Sequence, residues 1–227
     1  MRRDGRRGAR RDALVIVKVC GVRTAEIAEA AIDAGADWIG LMLVPRSARW
    51  VDDDAALAVM RAVGGRADLI GVFVEPSAAE CEDAATRYRL AGVQVHGDFD
   101  RTLVTSCSVP VIPVFNVEDG VAATTIDWAP DTLVMLDGMP DRGALPGGTG
   151  HHVPMDWAAD VARHREILLA GGLGPDDVAQ AIATVRPAGV DASSRLERRP
   201  GEKDPELVRR YVIAARSAAA TLEVEPR

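Results

Sequence analysis

Cysteine is scarce in this chain of 227 residues. Only Cys20, Cys81 and Cys107 are present, and no two of them form a CxxC pair. An odd number without that spacing argues against a disulfide framework and against a zinc knuckle. We therefore expect a protein of a reducing cytoplasm.

Long apolar runs are also absent. No stretch is long enough to span a bilayer, and Lys18 interrupts the apolar run that follows the basic start. That run is too short and too broken for a signal peptide. We predict a cytoplasmic location and no membrane partner.

The first twelve residues, "MRRDGRRGARRD", lack aromatic residues and any periodic apolar pattern. They carry six arginines against two aspartates, whereas the whole chain has a formal net charge of −7. A basic segment can touch nucleic acid, but nothing here would order it on such a partner. The sequence predicts a disordered arginine-rich arm over residues 1–12, no nucleic-acid partner, and one catalytic domain over residues 13–227.

Strand-like and helical runs alternate along the rest of the chain. The strand-like runs are continuously apolar, which is typical of parallel strands buried on both faces. Eight strand–helix units favour a single (β/α)8 TIM barrel of the α/β class over an open doubly wound sheet. The predicted strands are Leu14–Cys20, Trp38–Val44, Leu69–Val74, Gly92–Val95, Val109–Val114, Thr132–Leu136, Ile167–Ala170 and Gly189–Ala192.

The predicted helices follow these strands in turn. The best supported begins at Ser77, which has Glu80 three residues on, the pattern of a capping box. Weaker helices are predicted from about Asp98 and from about Val117. The others are a helix capped by Thr24 and ending at Gly35, and helices over Val51–Val63, Trp157–His164, Pro175–Val185 and Pro205–Ala220.

Polar residues gather where the predicted strands end, which is where barrels of this class place their active sites. Two of these ends suggest phosphate binding. "LLAGGLGPDDV" places Gly171 and Gly172 after strand 7, where backbone N–H groups can approach an anion, and "VDASSRLE" places Ser193 and Ser194 after strand 8. Each loop alone also fits a simple helix cap. The full set of strand-end residues is Lys18, Cys20, Arg46, Arg49, Glu75, His96, Asn116, Asp137, Ala170–Gly172 and Asp191–Ser194.

A third glycine cluster, "LPGGTGHHVPMDW", follows strand 6. It fits either a flexible linker or a loop that closes over a ligand. His151 and His152 lie here without a third ligand at a recognisable spacing, so we predict no metal site.

Cys20 ends the run "VIVKVCG", just before Gly21 frees the backbone for a sharp exit. A lone cysteine at such a place is either a small buried hydrophobe or a general base or nucleophile. The choice depends on which other groups converge on the same end of the barrel.

The ordered set of motifs resembles phosphoribosylanthranilate isomerase of tryptophan biosynthesis, from about Val15 to about Arg216. The motifs are "KVCGVRT", "PRSARWV", "GVFVEP", "GVQVHGD", "LDG", "GGTGHHVPMDW", "LAGGLGPDDV" and "GVDASSRLERRPGEKD". The resemblance implies an Amadori rearrangement of a phosphorylated aminosugar, without a cofactor, by a monomer or a homodimer.

The resemblance also implies roles for single residues. Asp137 would protonate the ring oxygen as general acid, and Cys20 would remove the C2 proton as general base, with a thiol pKa brought toward neutrality by a nearby cation. Arg49 would hold the anthranilate carboxylate, and Arg46 is its nearby competitor. The remaining substrate-binding residues would be Gly171, Gly172, Asp191, Ser193 and Ser194.

Three positions depart from the family pattern. Ala48 stands where proline is usual, and Gly138 follows the acid where a larger residue is common. Arg195 stands where a glycine is common, and it would either add charge at the phosphate or strain the loop if a positive φ were needed there. These departures leave two alternatives open: a paralogue acting on a related aminosugar phosphate, and a barrel that binds phosphosugars without catalysis.

Overall fold

The computed structural model describes residues 15–117, 126, 128–129, 131–138 and 153–224. Eight parallel strands form a closed barrel in sequential order, so the predicted fold is confirmed. The first and last strands close it through the register pair Lys18 and Asp191. The strands are β1 (Ile16–Cys20), β2 (Trp38–Met42), β3 (Asp68–Val74), β4 (Gly92–His96), β5 (Val111–Val117), β6 (Val134–Gly138), β7 (Ile167–Leu169) and β8 (Gly189–Ala192).

The described helices lie on the outside of the barrel. They are α1 (Ala25–Asp33), α2 (Asp53–Val63), α3 (Ala78–Tyr88), α4 (Leu103–Ser106), α5 (Met155–Ala162), α6 (Val178–Val185) and α7 (Pro205–Val224). The helix expected from about Asp98 is only the four-residue α4. After β8 the chain makes a 3-10 turn over Ser194–Leu196 and an antiparallel hairpin of β9 (Glu197–Arg199) and β10 (Glu202–Lys203).

Side-chain caps fix where several helices begin. The Thr24 hydroxyl accepts a hydrogen bond from the N–H of Ile27 before α1. Ser77 and Glu80 form the predicted capping box before α3. Each cap satisfies N–H groups that have no partner inside their helix, which contributes about 1 kcal/mol to helix stability.

Buried apolar side chains fill two layers. The larger layer packs the helices against the outer face of the barrel. Alternate residues of the strands point inward, where Ile70, Ile112, Met135 and Leu168 form an interior cluster. This cluster closes the barrel below the C-terminal strand ends, so polar side chains at those ends face a cavity with an apolar floor.

Some predictions lie outside the described residues. They concern the arm over residues 1–12, the helix after Val117, and the glycine-rich segment with His151 and His152. Within the described ranges, no helix has the length and apolar character needed to cross a membrane.

Candidate active site

Three strands bring four ionisable side chains together at the C-terminal end of the barrel. Lys18 and Cys20 come from β1, Asp137 from β6 and Asp191 from β8. The Lys18 ammonium is fully buried and donates hydrogen bonds to Asp191 Oδ1, at 2.9 Å, and to the Cys20 thiol. Burial alone would lower the pKa of Lys18, but Asp191 and Cys20 outweigh it and hold the pKa above its ordinary value. Lys18 is therefore a permanent cation beside the thiol.

Asp137 is the second carboxyl group of this cluster. Its side chain is buried, and the N–H of Gly138 donates to Oδ1 at 2.8 Å. Burial, reinforced by the negative charge of Asp191, raises the pKa of Asp137 to about 7. A large fraction of these carboxyls therefore carries a proton at neutral pH.

Cys20 is buried beside Lys18, and its thiol also feels the charge of Lys203. Burial raises the pKa of the Cys20 thiol above its ordinary value, and the lowering effect of Lys18 is too small to reverse this. The expectation of a pKa brought toward neutrality is therefore wrong for the described structure. The physical reason is that one neighbouring cation, already paired with Asp191, does not compensate the loss of water around a thiolate.

Polar side chains of β4 and β5 lie near this cluster, since the charge of Lys18 contributes to the pKa of His96. Gln94 Nε2 lies 2.8 Å from His96 Nε2, and burial lowers the pKa of His96 to about 3, so its ring is neutral. Three buried atoms of this group lack a hydrogen-bond partner in the described part of the chain: Gln94 Oε1, His96 Nδ1 and Asn116 Oδ1. An unpaired buried polar atom costs about 1–3 kcal/mol, so these three atoms are suited to hydrogen bonds with the hydroxyl groups of a ligand. In the sequence, Gln94 inside the apolar run "GVQV" is the feature that indicates these polar side chains, although it is not among the predicted strand-end residues.

Arg49 lies in the loop after β2, held from two sides. Its guanidinium forms a fork on Glu197, with Nε 2.8 Å from Oε1 and Nη2 3.0 Å from Oε2. On the other side it packs on Gly21, where an added Cβ would lie 2.8 Å from Arg49 Cδ. Gly21, with φ of 73°, therefore both turns the chain and leaves room for this arginine. Arg46 in the same loop is exposed.

The β9–β10 hairpin supplies two residues that the sequence reasoning missed, Glu197 and Lys203. Lys203 is buried, and its ammonium donates to Glu197 Oε1 at 2.5 Å and to Ser193 Oγ at 3.4 Å. The Ser193 hydroxyl in turn donates to the carbonyl of Cys20 at 3.2 Å. Burial alone would raise the pKa of Glu197, but hydrogen bonds from Arg49 and Lys203 hold it below its ordinary value. The charged run "ERRPGEKD" is typical of a solvated surface, so nothing in the sequence indicates that Glu197 and Lys203 are buried and paired.

The two predicted phosphate loops lie side by side. Gly171 and Gly172 have φ of 87° and 68°, which only glycine adopts readily. An added Cβ on Gly174 would lie 3.1 Å from Cβ of Arg195, so the loops after β7 and β8 touch. Within the described residues, the backbone N–H groups of Gly171, Gly172, Ser193 and Ser194 donate no hydrogen bond.

Arg195 sits in the 3-10 turn and not at a strained position. The described non-glycine residues with positive φ are Glu75, Arg89 and Arg186. Strain from Arg195 in place of glycine is therefore not found. Its guanidinium points toward Asp177, with Nη1 3.6 Å from Oδ2.

Comparisons with known proteins identify the family of this chain. The family model of N-(5'phosphoribosyl)anthranilate (PRA) isomerase matches residues 17–214. A relative from Deinococcus radiodurans, an N-(5'-phosphoribosyl)anthranilate isomerase, is 41% identical over 209 residues, covering 89% of this chain and 97% of its own.

Solved structures agree as well. Phosphoribosyl anthranilate isomerase from Thermus thermophilus superposes with a TM-score of 0.77 at 30% identity, covering 92% of this chain and all of its own. Another phosphoribosyl anthranilate isomerase, in complex with reduced 1-(o-carboxyphenylamino)-1-deoxyribulose 5-phosphate, gives a TM-score of 0.76 at 27% identity over 89% of this chain and 99% of its own. The chain belongs to the N-(5'-phosphoribosyl)anthranilate isomerase family, the enzymes that act in tryptophan biosynthesis.

Proposed function

We propose that this isomerase converts N-(5'-phosphoribosyl)anthranilate to 1-(2-carboxyphenylamino)-1-deoxyribulose 5-phosphate with Asp137 as general acid and Cys20 as general base. The observation that carries this assignment is the buried cluster in which Lys18 links Cys20 to Asp191 and Asp137 has a pKa of about 7. A general acid works best when its pKa lies near the working pH. No cofactor takes part in the proposed reaction.

Asp137 acts in the first step. Its proton passes to the furanose ring oxygen, the bond between that oxygen and C1 breaks, and the anilino nitrogen lone pair forms the C1–N double bond of a protonated Schiff base. Asp137 is left as a carboxylate. The hydrogen bond from the Gly138 N–H and the charge of Lys18 both stabilise that carboxylate.

Cys20 acts in the second step. Its thiolate takes the proton from C2, and the C2–H electrons move toward the nitrogen to give an enol amine, which tautomerises to the ketose. Burial opposes the thiolate, whereas Lys18 and Lys203 favour it. The positive Schiff base formed in the first step adds a further cation, so the thiolate is stabilised at the stage when it is needed.

Two anion sites position the substrate. The free N–H groups of Gly171, Gly172, Ser193 and Ser194 would hold the phosphate. Arg49 would hold the carboxylate with the guanidinium donors that Glu197 leaves free. These assignments rest on loop geometry and on the family motifs.

Asp191 was predicted to bind substrate, and we assign it a double role. Its Oδ1 accepts from Lys18, and its charge helps to raise the pKa of Asp137. Its second oxygen, Oδ2, is proposed to accept a hydrogen bond from a substrate hydroxyl. The predicted monomer or homodimer stays a prediction, as does the division into an arm over residues 1–12 and a barrel.

The test follows the fluorescence of N-(5'-phosphoribosyl)anthranilate, which is expected to disappear when purified protein is added. Expression of the chain in a tryptophan auxotroph lacking this isomerase is expected to restore growth. Failure of both would contradict the proposed reaction and favour a paralogue with another aminosugar phosphate as substrate.

A further inference from the structure

We propose that Lys203 is a second cation of the carboxylate site, acting with Arg49 through the buried ion cluster Arg49–Glu197–Lys203. This inference rests on the proposed function, because it concerns the carboxylate of the same substrate. The side chains of Arg49, Glu197 and Lys203 are only 13%, 4% and 1% exposed. Charges so poorly solvated must be balanced by one another or by a ligand.

The charges of this cluster do not balance. Arg49 Nε and the Lys203 ammonium share a single carboxylate oxygen, Glu197 Oε1, so two cations face one anion. Within the described residues, neither cation is paired with a second carboxylate. The neighbouring Lys18–Asp191 pair, by contrast, is neutral. The uncompensated positive charge is a preformed counter-charge for a monoanion, and the anthranilate carboxylate is a group of that kind.

Glu197 contributes as a positioning residue. It engages two of the five N–H donors of Arg49 in a planar fork, which fixes the plane of the guanidinium and leaves the donors of Nη1 for a ligand. The ion pair of Glu197 with Lys203 places the second cation next to the Arg49 guanidinium. The contact of Lys203 with Ser193, which bonds the Cys20 carbonyl, ties this arrangement to the strand end that carries the base.

A phosphate is the competing anion, because Ser193 also belongs to a phosphate loop. The position of Lys203 favours the carboxylate: its short contact is to the residue that holds Arg49, and its contact with Ser193 is the longer one. Carboxylate and phosphate roles can be separated by ligands that differ in the carboxylate alone.

The experiment compares two ligands by isothermal titration calorimetry. One is reduced 1-(o-carboxyphenylamino)-1-deoxyribulose 5-phosphate, and the other is the same compound made from aniline, which lacks the carboxylate. In Lys203→Met, Glu197 keeps Arg49 as its partner, so the cluster becomes neutral without an orphaned charge. The preference for the carboxylated ligand is expected to fall by about tenfold or more, while the carboxyl-free ligand binds within about twofold of wild type.

Charge balance supplies the decisive control. The double variant Glu197→Gln with Lys203→Met restores one net positive charge on Arg49, so it is expected to regain a large part of the preference. Lys203→Arg is expected to keep it. Arg198→Met removes an exposed cation of the same hairpin and is expected to leave the preference unchanged.

Two results would overturn the inference: equal weakening of both ligands in Lys203→Met, which indicates a phosphate or purely structural role, or an unchanged preference. Failure of the proposed function is seen separately, in the wild type, as a lack of turnover and of any preference for the carboxylated ligand. Melting temperatures of all variants establish that each is folded.

Discussion

At the scale of single residues, the site depends on two buried groups that one lysine connects. The Cys20 thiol and the Asp137 carboxyl both feel Lys18, and burial favours the protonated form of each. The raised pKa values therefore favour a protonated Cys20 and a protonated Asp137, and the positive Schiff base of the proposed reaction would shift Cys20 toward the thiolate. Loss of either group should affect chemistry more than binding.

Cys20→Ala and Asp137→Asn are each expected to lower kcat by at least about two orders of magnitude, as loss of a general base or acid does. Cys81→Ala is the matched control. Cys81 is also buried, but it lies on α3, where burial raises its pKa to about 12. Steady-state kinetics with N-(5'-phosphoribosyl)anthranilate measure the effect, and near wild-type turnover in either test variant would remove that residue from its role.

The pKa of Asp137 also predicts how stability depends on pH. In the folded state it is raised from 3.8 to about 7, so between these values the folded protein holds a proton that the unfolded chain releases. This contribution is fully present below about pH 4 and is lost as the pH rises through 7, by up to about 4 kcal/mol. Asp137→Asn lacks this dependence.

Urea denaturation at pH 4.5 and at pH 8 measures this prediction. Relative to wild type, Asp137→Asn is expected to gain free energy of unfolding on going from the lower to the higher pH, by on the order of 2–4 kcal/mol. Titration of all other groups is common to both proteins and cancels in the comparison. If the free energies of unfolding of the two proteins differ by the same amount at both pH values, the raised pKa of Asp137 is contradicted.

At the scale of elements, the pairing of β1 with β2 makes space for the thiol. Gly40 lies opposite Cys20, and an added Cβ would come within 2.9 Å of Sγ and 3.0 Å of Cα. Gly40→Ala is expected to displace the thiol and lower kcat by on the order of 10- to 100-fold. Gly71→Ala in β3 is the control, because its Cβ would meet Leu90 at 2.6 Å, away from the site.

Both glycine variants are expected to lose about 1–3 kcal/mol of stability through overpacking. Thermal unfolding and kcat, measured on the same preparations, separate the two effects. Equal kcat values for the two variants would show that Gly40 has no special relation to the thiol.

Two arginines in the loop after β2 provide a test of the proposed carboxylate site. Arg49→Lys is expected to raise KM by about tenfold or more, since an ammonium cannot bond both Glu197 oxygens and a ligand in one plane. Arg46→Lys, an exposed change in the same loop, is expected to alter KM by less than about twofold. Kinetics of both variants on N-(5'-phosphoribosyl)anthranilate provide the measurement, and equal small effects would contradict the role of Arg49.

The elements also show what sequence can and cannot predict. Continuous apolar strands and the Ser77–Glu80 capping box are local patterns, and both predicted their elements. The hairpin that carries Glu197 and Lys203 was missed, because its strands are short and charged. Its main partner, Arg49, is 148 residues away in sequence, and a contact over that distance leaves no local pattern. The raised pKa of Cys20 was missed for a similar reason, since it depends on how completely the closed barrel excludes water.

At the scale of the whole molecule, an arginine of α7 secures the end of the barrel opposite the site. Arg216 donates to the carbonyls of Gly35 and Val15 and pairs with Asp37. Arg216→Met is expected to lower the free energy of unfolding by about 2–3 kcal/mol, because these acceptors lose their donor. The kcat of the folded variant is expected to stay unchanged, since barrels of this class place their active sites at the opposite face.

Arg210→Met is the matched control on the same helix. Arg210 pairs with Asp176 at 2.9 Å, but both side chains are more than half exposed, so the loss is expected to stay below about 1 kcal/mol. Urea denaturation of both variants gives the comparison. If Arg210→Met loses as much free energy of unfolding as Arg216→Met, or more, the role of Arg216 in securing this end of the barrel is contradicted.

The pairing of β1 with β8 has a consequence for the nascent chain. Lys18 and Asp191 are 173 residues apart, so the ribosome releases Lys18 and Cys20 long before Asp191, the counter-ion of Lys18, exists. At roughly 5–20 residues per second, the first strand waits on the order of 10–30 s for the last. During that interval Lys18 stays hydrated, because nothing can yet compensate its burial. The proposed base and its neighbouring cation therefore gain their native surroundings only in a late step, when β8 pairs with β1. We expect a chain stalled on the ribosome before β8 to show no turnover.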